Sequence, residues 1–216
     1  MKPRAHFYSQ IRTLLKALLF YVPALLIMIA VYAQPYVEIG DLTRDAISVA
    51  EGRFYYGLVS NLGILLWCAT AAICLFTAVL LKDWKLTYHR NFLLSGGLLT
   101  IVLLMDDFFL LHEAAIPMLL GIGEKYVISM YPLLMVLFLA CFINKILNTG
   151  YLVLLSALCF LGLSVLTDAF ETKVASETFY LLEEGFKFMG IVGWFYYFTS
   201  TCLLVQNIAM KKKLYQ

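Results

Sequence analysis

The sequence predicts an all-α integral membrane protein, and three observations lead to this prediction. The chain has 216 residues, of which 62% are hydrophobic, and its mean hydropathy is +0.86. Only 14% of the residues are charged, whereas soluble domains carry about 25%. The apolar residues also gather into stretches that reach the roughly 20 residues an α-helix needs to cross a bilayer. A soluble globule cannot bury this much apolar surface, so lipid surrounds most of the chain.

Six stretches are predicted to span the membrane, as one domain that covers residues 1–216. They lie at about 13–34, 56–81, 92–120, 126–144, 150–168 and 180–206. The first stretch follows basic residues, as a signal peptide would. Its apolar core over 17–33 is longer than the about 7–15 residues of a usual signal peptide. We therefore expect the first stretch to be retained as a signal anchor.

The charges in the connections predict the orientation of the spans. One set of connections holds a single acid, Asp83, among many basic residues. These basic residues are Lys2, Arg4, Arg12, Lys16, Lys82, Lys85, Arg90, Lys145 and Lys211–Lys213. The opposite set mixes basic residues with a larger number of acids. Because basic connections stay on the cytoplasmic side, both termini are expected there, as an even number of spans also requires.

Several function classes lack their sequence signals. The chain has no phosphate-binding Walker motif, no GxGxxG, and no basic stretch interleaved with aromatic residues, so we expect no nucleic-acid partner. The cysteines all lie in apolar runs without a CxxC pair, which indicates small buried hydrophobic residues. Tyr126 and Tyr131 near the outer ends of spans are interpreted as interface aromatics.

Two polar motifs interrupt spans that are otherwise apolar. The third span contains "DDFFLLHE", which places there Asp106, Asp107, His112 and Glu113. The sixth span begins with "LLEEGFKFMG", which contributes Glu183, Glu184 and Lys187. Each such group costs several kcal/mol inside a bilayer, so the motifs are functional candidates. The predicted orientation and a rise of about 1.5 Å per residue put both motifs in the outer half of the membrane.

The spacing in the sixth span predicts one polar face. Lys187 projects between Glu183 and Glu184, because residues three and four apart are neighbours on a helix. Gly190 continues the same face, and small residues allow close helix approach in lipid. We expect this face to press against the third span, so that the polar groups of both motifs share a pocket that opens outward.

The charge of the two motifs must be balanced. Their five carboxylates and one ammonium would leave a charge of −4 if all were ionised, which a low-dielectric site does not tolerate. Either several carboxylates are protonated or a divalent metal ion neutralises them. A carboxylate and imidazole set suits zinc, iron or manganese, with Asp106, Asp107, His112 and Glu113 as the expected ligands. The alternative is a salt-bridge network in which Asp106 or Asp107 pairs with Lys187.

One helix alone is not expected to supply this metal site. Asp106 and Glu113 are seven residues apart, which is about 10 Å along a helix axis. Other spans must therefore contribute ligands, or the third helix must break. Pro117 lies just beyond the motif and is expected to kink the top of the span.

The pair of motifs resembles a set of uncharacterised bacterial multi-pass membrane proteins of about this size. The resemblance covers roughly residues 91–205 and rests on "DDFFLLHE" and "EEGFKFMG". It implies six spans and a bacterial origin, and it implies no particular activity. We therefore expect the protein in the bacterial inner membrane. Alkaline-ceramidase-like intramembrane hydrolases also place polar residues in their spans, but they bind zinc through histidines that include an HxxxH pair. This chain has no HxxxH, so no residue roles are transferred from them.

The sequence therefore predicts a membrane protein with a polar site, and three functions are open. The first is a metal-assisted hydrolase or transferase for a lipid-like substrate, with Glu183 or Glu184 as general base and Lys187 holding an anionic head group. The second is a proton- or cation-coupled transporter or channel. The third is an accessory subunit of a larger membrane complex. Expected partners are membrane lipid and either a second copy of the chain or such a complex.

Overall fold

The predicted all-α fold class is confirmed. The computed structural model describes residues 21–44, 46–84, 86–169 and 177–214, and these described ranges form helices and short connections without a strand. Five of the described helices are long and apolar enough to cross a membrane. The chain divides into two compact units, residues 1–56 and 57–216.

The first unit contains one apolar helix followed by two short ones. Helix α1 is described over Tyr21–Ala33, so the first predicted span is described from residue 21 onward. Gln34 ends this helix: its side-chain Oε1 accepts hydrogen bonds from the backbone N–H groups of Tyr36 and Val37 at 2.8 and 2.9 Å. Two short helices follow, α2 (Ile39–Thr43) and α3 (Ala46–Val49).

The second unit contains the five long helices and both polar motifs. Its helices are α4 (Leu58–Leu80), α5 (Thr87–Phe109), α6 (Ile116–Leu120), α7 (Glu124–Ile146), α8 (Tyr151–Ala169) and α9 (Glu177–Leu214). A 3₁₀ turn (Leu81–Trp84) precedes α5, and a π-helical segment (Leu111–Ala115) separates α5 from α6. Helix α9 packs against α8, α4 and α5, and α7 packs against α5.

Two helices differ from the predicted spans in where they begin or end. The stretch 92–120 was expected as one span, but its long helix ends at Phe109 and the chain then changes conformation. The last helix is longer than the predicted span 180–206, because its polar first and last turns continue the same helix. The other long helices lie within a few residues of their predicted bounds.

Aromatic side chains from four helices form the centre of the second unit. Phe198 of α9 stacks on Phe92 of α5 with ring centroids 6.0 Å apart, and Phe92 stacks on Phe138 of α7 at 5.5 Å. Trp194 contacts Trp67 of α4 at 6.0 Å. The Trp194 indole N–H also donates to the Thr100 hydroxyl at 3.0 Å, so its polar atom is satisfied inside the apolar core.

Glycines set the spacing between α9 and its neighbours. A Cβ atom on Gly96 of α5 would lie 2.4 Å from the Phe198 ring, and one on Gly190 of α9 would lie 2.6 Å from Leu161 of α8. Gly190 was expected to face the third span, and this expectation is wrong. Its face meets the fifth span, because the bulk of Phe198 and Trp194 occupies the side toward α5 and α4.

We predict that Gly96→Ala destabilises the protein by about 1–3 kcal/mol, since the added methyl group must displace the buried Phe198 ring. The matched control is Gly162→Ala on α8, where no atom lies within 4 Å of the added Cβ. The control should be neutral or slightly stabilising, because alanine favours helix more than glycine does. Thermal unfolding of the purified variants in detergent measures both effects. Equal unfolding temperatures for the two variants would contradict this account of the packing.

Candidate functional site

The third span breaks at Leu110, in the middle of the first polar motif. Leu110 has φ +50° and ψ +47°, a left-handed backbone conformation that residues other than glycine rarely adopt. Its carbonyl oxygen accepts hydrogen bonds from the N–H groups of Ala114 and Ala115, at 2.9 and 3.1 Å. Pro117 follows two residues after the π-helical segment and donates no backbone hydrogen bond. The break lets residues after Leu110 turn back toward the end of α5.

Asp106 collects three hydrogen bonds because of this break. Its Oδ1 accepts the backbone N–H of His112 at 3.0 Å and the hydroxyl of Tyr131, on α7, at 2.6 Å. Its Oδ2 lies 2.7 Å from Nδ1 of His112. Asp106 is only 8% exposed. We call Asp106, His112 and Tyr131 the Asp106 cluster.

The Asp106 cluster fixes the orientation of the His112 ring. When Asp106 is ionised, Nδ1 of a neutral His112 carries the proton and Nε2 keeps a free lone pair. Nε2 lies 3.5 Å from Oε1 of Glu113. The His112 side chain is 19% exposed and that of Glu113 is 50% exposed, so this edge of the ring is open. The arrangement suits a histidine that takes up or gives a proton at Nε2.

Lys187 forms a second set of contacts, which joins α9 to α5. Its Nζ lies 2.8 Å from Oδ1 of Asp107 and 3.3 Å from Oε1 of Glu184. The sequence predicted a pairing of Lys187 with either Asp106 or Asp107 as an alternative to the metal site, and the structure has the pairing with Asp107. The second carboxylate oxygen of Asp107, Oδ2, is buried and has no hydrogen-bond partner among the described residues. We call Asp107, Glu184 and Lys187 the Lys187 cluster.

Among the described side chains, the contact between Lys187 and Asp107 joins the two polar motifs. Asp106 and Asp107 are neighbours on α5, yet they bind different partners on different helices. Glu183 lies half-buried in the first turns of α9, beside Glu184. Across the part of the chain that the structure describes, no group of three His, Cys, Asp or Glu side chains is arranged to hold a metal ion. The metal site expected from Asp106, Asp107, His112 and Glu113 thus gains no support from the geometry.

Tyr131 was interpreted from the sequence as an interface aromatic, and the structure gives it a further role. Its hydroxyl donates to Asp106 and its ring lies 6.1 Å from the His112 ring. The sequence contains no signal for this contact, because the two residues are separated by a connection whose course depends on the break at Leu110. Only the position of Tyr131, near the same membrane face as the motif, was accessible from sequence.

We predict that Lys187→Met lowers the free energy of unfolding by about 2–4 kcal/mol, because it leaves the Asp107 carboxylate without its cation. The double variant Asp107→Asn with Lys187→Met should lose less than Lys187→Met alone, since no buried charge is then left unpaired; Glu184 also loses its cation, but it is partly exposed. Chemical unfolding of purified protein in detergent provides the measurement.

The matched control for this prediction is Glu184→Gln. Glu184 is 39% exposed and contributes the longer of the two contacts with Lys187, so its neutralisation should change stability by less than about 1 kcal/mol. A double variant that is less stable than the single Lys187→Met variant would rule out the ion pair as the stabilising contact.

Comparison with known proteins places the chain in a family. No curated protein and no solved structure matches the chain. A family model described as a domain of unknown function (DUF8692) matches residues 18–201, a range that includes every residue of the Asp106 and Lys187 clusters. Because the match covers most of the sequence, the chain belongs to the DUF8692 family.

Proposed function

We propose that the protein is an intramembrane hydrolase or transferase that acts on a lipid-like substrate, with His112 as its acid–base group. The observation that carries this proposal is the 2.7 Å contact between Asp106 Oδ2 and His112 Nδ1, which leaves Nε2 at the open edge of the ring. A carboxylate that holds one ring nitrogen of histidine while the other faces the substrate is a common device of acyl-transfer enzymes.

The chemistry needs few groups. Nε2 of His112 accepts a proton from a water molecule or a substrate hydroxyl, whose oxygen then attacks a carbonyl carbon or a phosphorus atom. The protonated ring is stabilised by Asp106 and returns the proton to the leaving oxygen. Tyr131 and the His112 backbone N–H keep the carboxylate in place. In this proposal His112 replaces Glu183 and Glu184 as general base, and the Lys187 cluster holds α9 against the site.

The surroundings of His112 favour a substrate that arrives from lipid. Helix α6 follows the π-helical segment directly, and its side chains Met118, Leu119 and Leu120 are each at least two-thirds exposed. In a membrane protein, exposed apolar side chains face acyl chains. A lipid-like molecule can therefore reach the open edge of His112 from the bilayer without passing through water.

In an alternative form of the proposal, a divalent metal ion would occupy Nε2 of His112, which would then be a metal ligand and not the acid–base group. Two ligands of a tetrahedral zinc ion, each about 2.1 Å from the metal, lie about 3.4 Å apart. His112 Nε2 and Glu113 Oε1 are 3.5 Å apart, so these two residues fit as ligands for zinc, iron or manganese. Asp106 would then orient the histidine ligand through its contact with Nδ1, and it would not bind the metal itself. The remaining positions would be filled by water or substrate.

A proton- or cation-coupled transporter is the second candidate, and one observation favours it. The buried, unpartnered Oδ2 of Asp107 is an acceptor that a proton or a small cation would satisfy. It lies on α5 next to Asp106, whose contacts continue to His112 and Glu113. This observation is weaker than the oriented histidine. No predicted span carries an acidic residue in its cytoplasmic half, where a relay across the membrane would need one.

We also propose six spans, with both termini in the cytoplasm of a bacterial cell and the protein in its inner membrane. The charge asymmetry of the connections and the apolar stretch that includes α1 support this topology. It places the Asp106 cluster near the outer face. A second copy of the chain or a larger membrane complex is proposed as partner.

We predict that Asp106→Asn and His112→Gln each reduce turnover by at least about a hundredfold, since each removes one half of the acid–base pair. Tyr131→Phe should have a smaller effect, because Asp106 keeps its contacts with His112. The measurement is mass spectrometry of products after purified protein is incubated with mixed membrane lipids. Lys187→Arg, which keeps the cation, is the matched control and should retain turnover.

Measurements of metal content and of ion flux distinguish the metal-dependent enzyme, the metal-free enzyme and the transporter. Metal analysis of wild type and His112→Ala shows near-stoichiometric metal, lost in the variant, if the ion is part of the site. Liposome flux that disappears with Asp107→Asn, without lipid turnover, would instead establish the transporter. Unchanged lipid turnover in His112→Gln would refute an acid–base role for this residue.

We predict that reporters fused after residue 216 are active only in the cytoplasm, and that reporters inserted in the connection 35–55 are active only outside. Alkaline phosphatase fusions in bacterial cells measure the second, and fluorescent-protein fusions the first. Activity of an alkaline phosphatase fused at the C-terminus would overturn the orientation and move the Asp106 cluster to the cytoplasmic side.

A further inference from the structure

The open edge of the His112 ring faces a carboxylate. Nε2 of His112 lies 3.5 Å from Oε1 of Glu113, the next residue of the π-helical segment. With Asp106 ionised, Nδ1 of the neutral ring donates to it, so Nε2 carries a lone pair. An ionised glutamate is also an acceptor only. Two hydrogen-bond acceptors therefore face each other, and a donor placed between them would bind both.

Asp106 and Glu113 place negative charge on both sides of this histidine ring. Across the described residues, neither carboxylate forms an ion pair with a lysine or an arginine. Lys187, the cation of the second motif, is engaged by Asp107 and Glu184 at 2.8 and 3.3 Å. Because negative charge within a membrane needs a positive counterpart, the donor that best suits the histidine is a cation.

A primary ammonium group fits both the geometry and the charge. It has three N–H donors, and one nitrogen atom about 2.9 Å from each acceptor can donate to both across their spacing of 3.5 Å. A divalent metal ion could bind the same two atoms, but no third His, Cys, Asp or Glu among the described side chains completes such a site. A water molecule has two donors but no charge to offset the carboxylates.

We propose that His112 and Glu113 bind the primary amine of an acyl acceptor, so that the protein transfers an acyl group from a lipid ester to an amine. This inference rests on the proposed function and names the acceptor of that reaction. The amine nitrogen attacks the ester carbonyl carbon, a C–N bond forms, and the bond between that carbon and the ester oxygen breaks. The products are an amide and an alcohol.

The protons of this reaction need two acceptors. An ammonium group that becomes an amide loses two protons, whereas a hydroxyl group that becomes an ester loses one. Nε2 of His112 takes the first proton and returns it to the leaving oxygen, which becomes the alcohol. Glu113 takes the second and releases it to water, since its side chain is 50% exposed. The carboxylate beside the histidine thus serves an amine acceptor, and a hydroxyl acceptor does not need it.

Competition between an amine and a hydroxyl acceptor tests the proposal. Purified protein is incubated in liposomes of phosphatidylcholine with deuterated acyl chains, which is the acyl donor. The liposomes also contain equal amounts of phosphatidylethanolamine, which offers an amine, and phosphatidylglycerol, which offers hydroxyl groups. Mass spectrometry counts the labelled amide, the labelled ester and the labelled fatty acid released by hydrolysis. We expect the amide to exceed the ester at least about tenfold, because only the amine brings a positive charge to the two carboxylates.

Glu113→Gln should lower the ratio of amide to ester at least about tenfold, since it keeps the size of the side chain and removes its charge. Both products form in the same sample, so the ratio does not depend on the amount of folded protein. The matched control is Glu124→Gln, which removes an exposed acid from the first turn of α7 and should leave the ratio within about twofold of wild type.

The source of the amine is assigned by a second set of liposomes, in which ethanolamine in the water replaces phosphatidylethanolamine. Labelled N-acylethanolamine, lost in Glu113→Gln, would support the amine acceptor and assign it to a soluble source. Labelled amide with phosphatidylethanolamine alone would support it as a lipid headgroup.

Three results would overturn the inference. Equal ratios of amide to ester in wild type and Glu113→Gln would do so, as would wild type that forms only ester or fatty acid; both would leave the proposed hydrolase or transferase in place. Amide formation that requires an added divalent metal would show that the metal, not an ammonium group, binds Nε2 and Oε1. Wild type that releases no labelled acyl chain to any acceptor would refute the proposed function together with this inference.

Discussion

The constraint on which the rest of the structure depends is that a charge inside the membrane must have a partner. Asp106 satisfies it with three donors, and two of them come from His112. This is possible only because the chain leaves the helix at Leu110. The left-handed Leu110 costs about 1 kcal/mol or more, and the hydrogen bonds to a buried carboxylate exceed this cost. The break, the π-helical segment and the oriented histidine therefore form one arrangement rather than three separate features.

The same constraint acts differently on the neighbouring carboxylate. Asp107 points to another helix and receives the ammonium of Lys187, so one oxygen atom is paired and the other is not. Two adjacent acids are thus divided between a histidine that faces an open edge and a lysine that links α9 to α5. This division separates a histidine with an accessible ring edge from an ion pair that joins two helices.

The sequence predicted most of the helices but only part of the site. Long apolar stretches determine where helices cross a membrane, because that depends on local composition. The pairing of Lys187 with Asp107 was open to prediction, since one cation stood among several acids at a similar depth. The contacts of Gly190 and Tyr131 were not, because they depend on how α8 and α7 pack. The contact between Asp106 and His112 depends on the left-handed backbone conformation of Leu110. Leucine seldom adopts this conformation, so the residue type at position 110 does not predict it.

The length of α9 has a consequence for the whole molecule. Its 38 residues correspond to about 57 Å of helix, against a hydrocarbon slab of about 30 Å. The helix must therefore tilt strongly or extend beyond the slab. Its tilt then changes with bilayer thickness, since thinner membranes favour a larger tilt. Lys187 lies near one end of this helix, so a change of tilt would move its ammonium relative to the Asp107 carboxylate on α5.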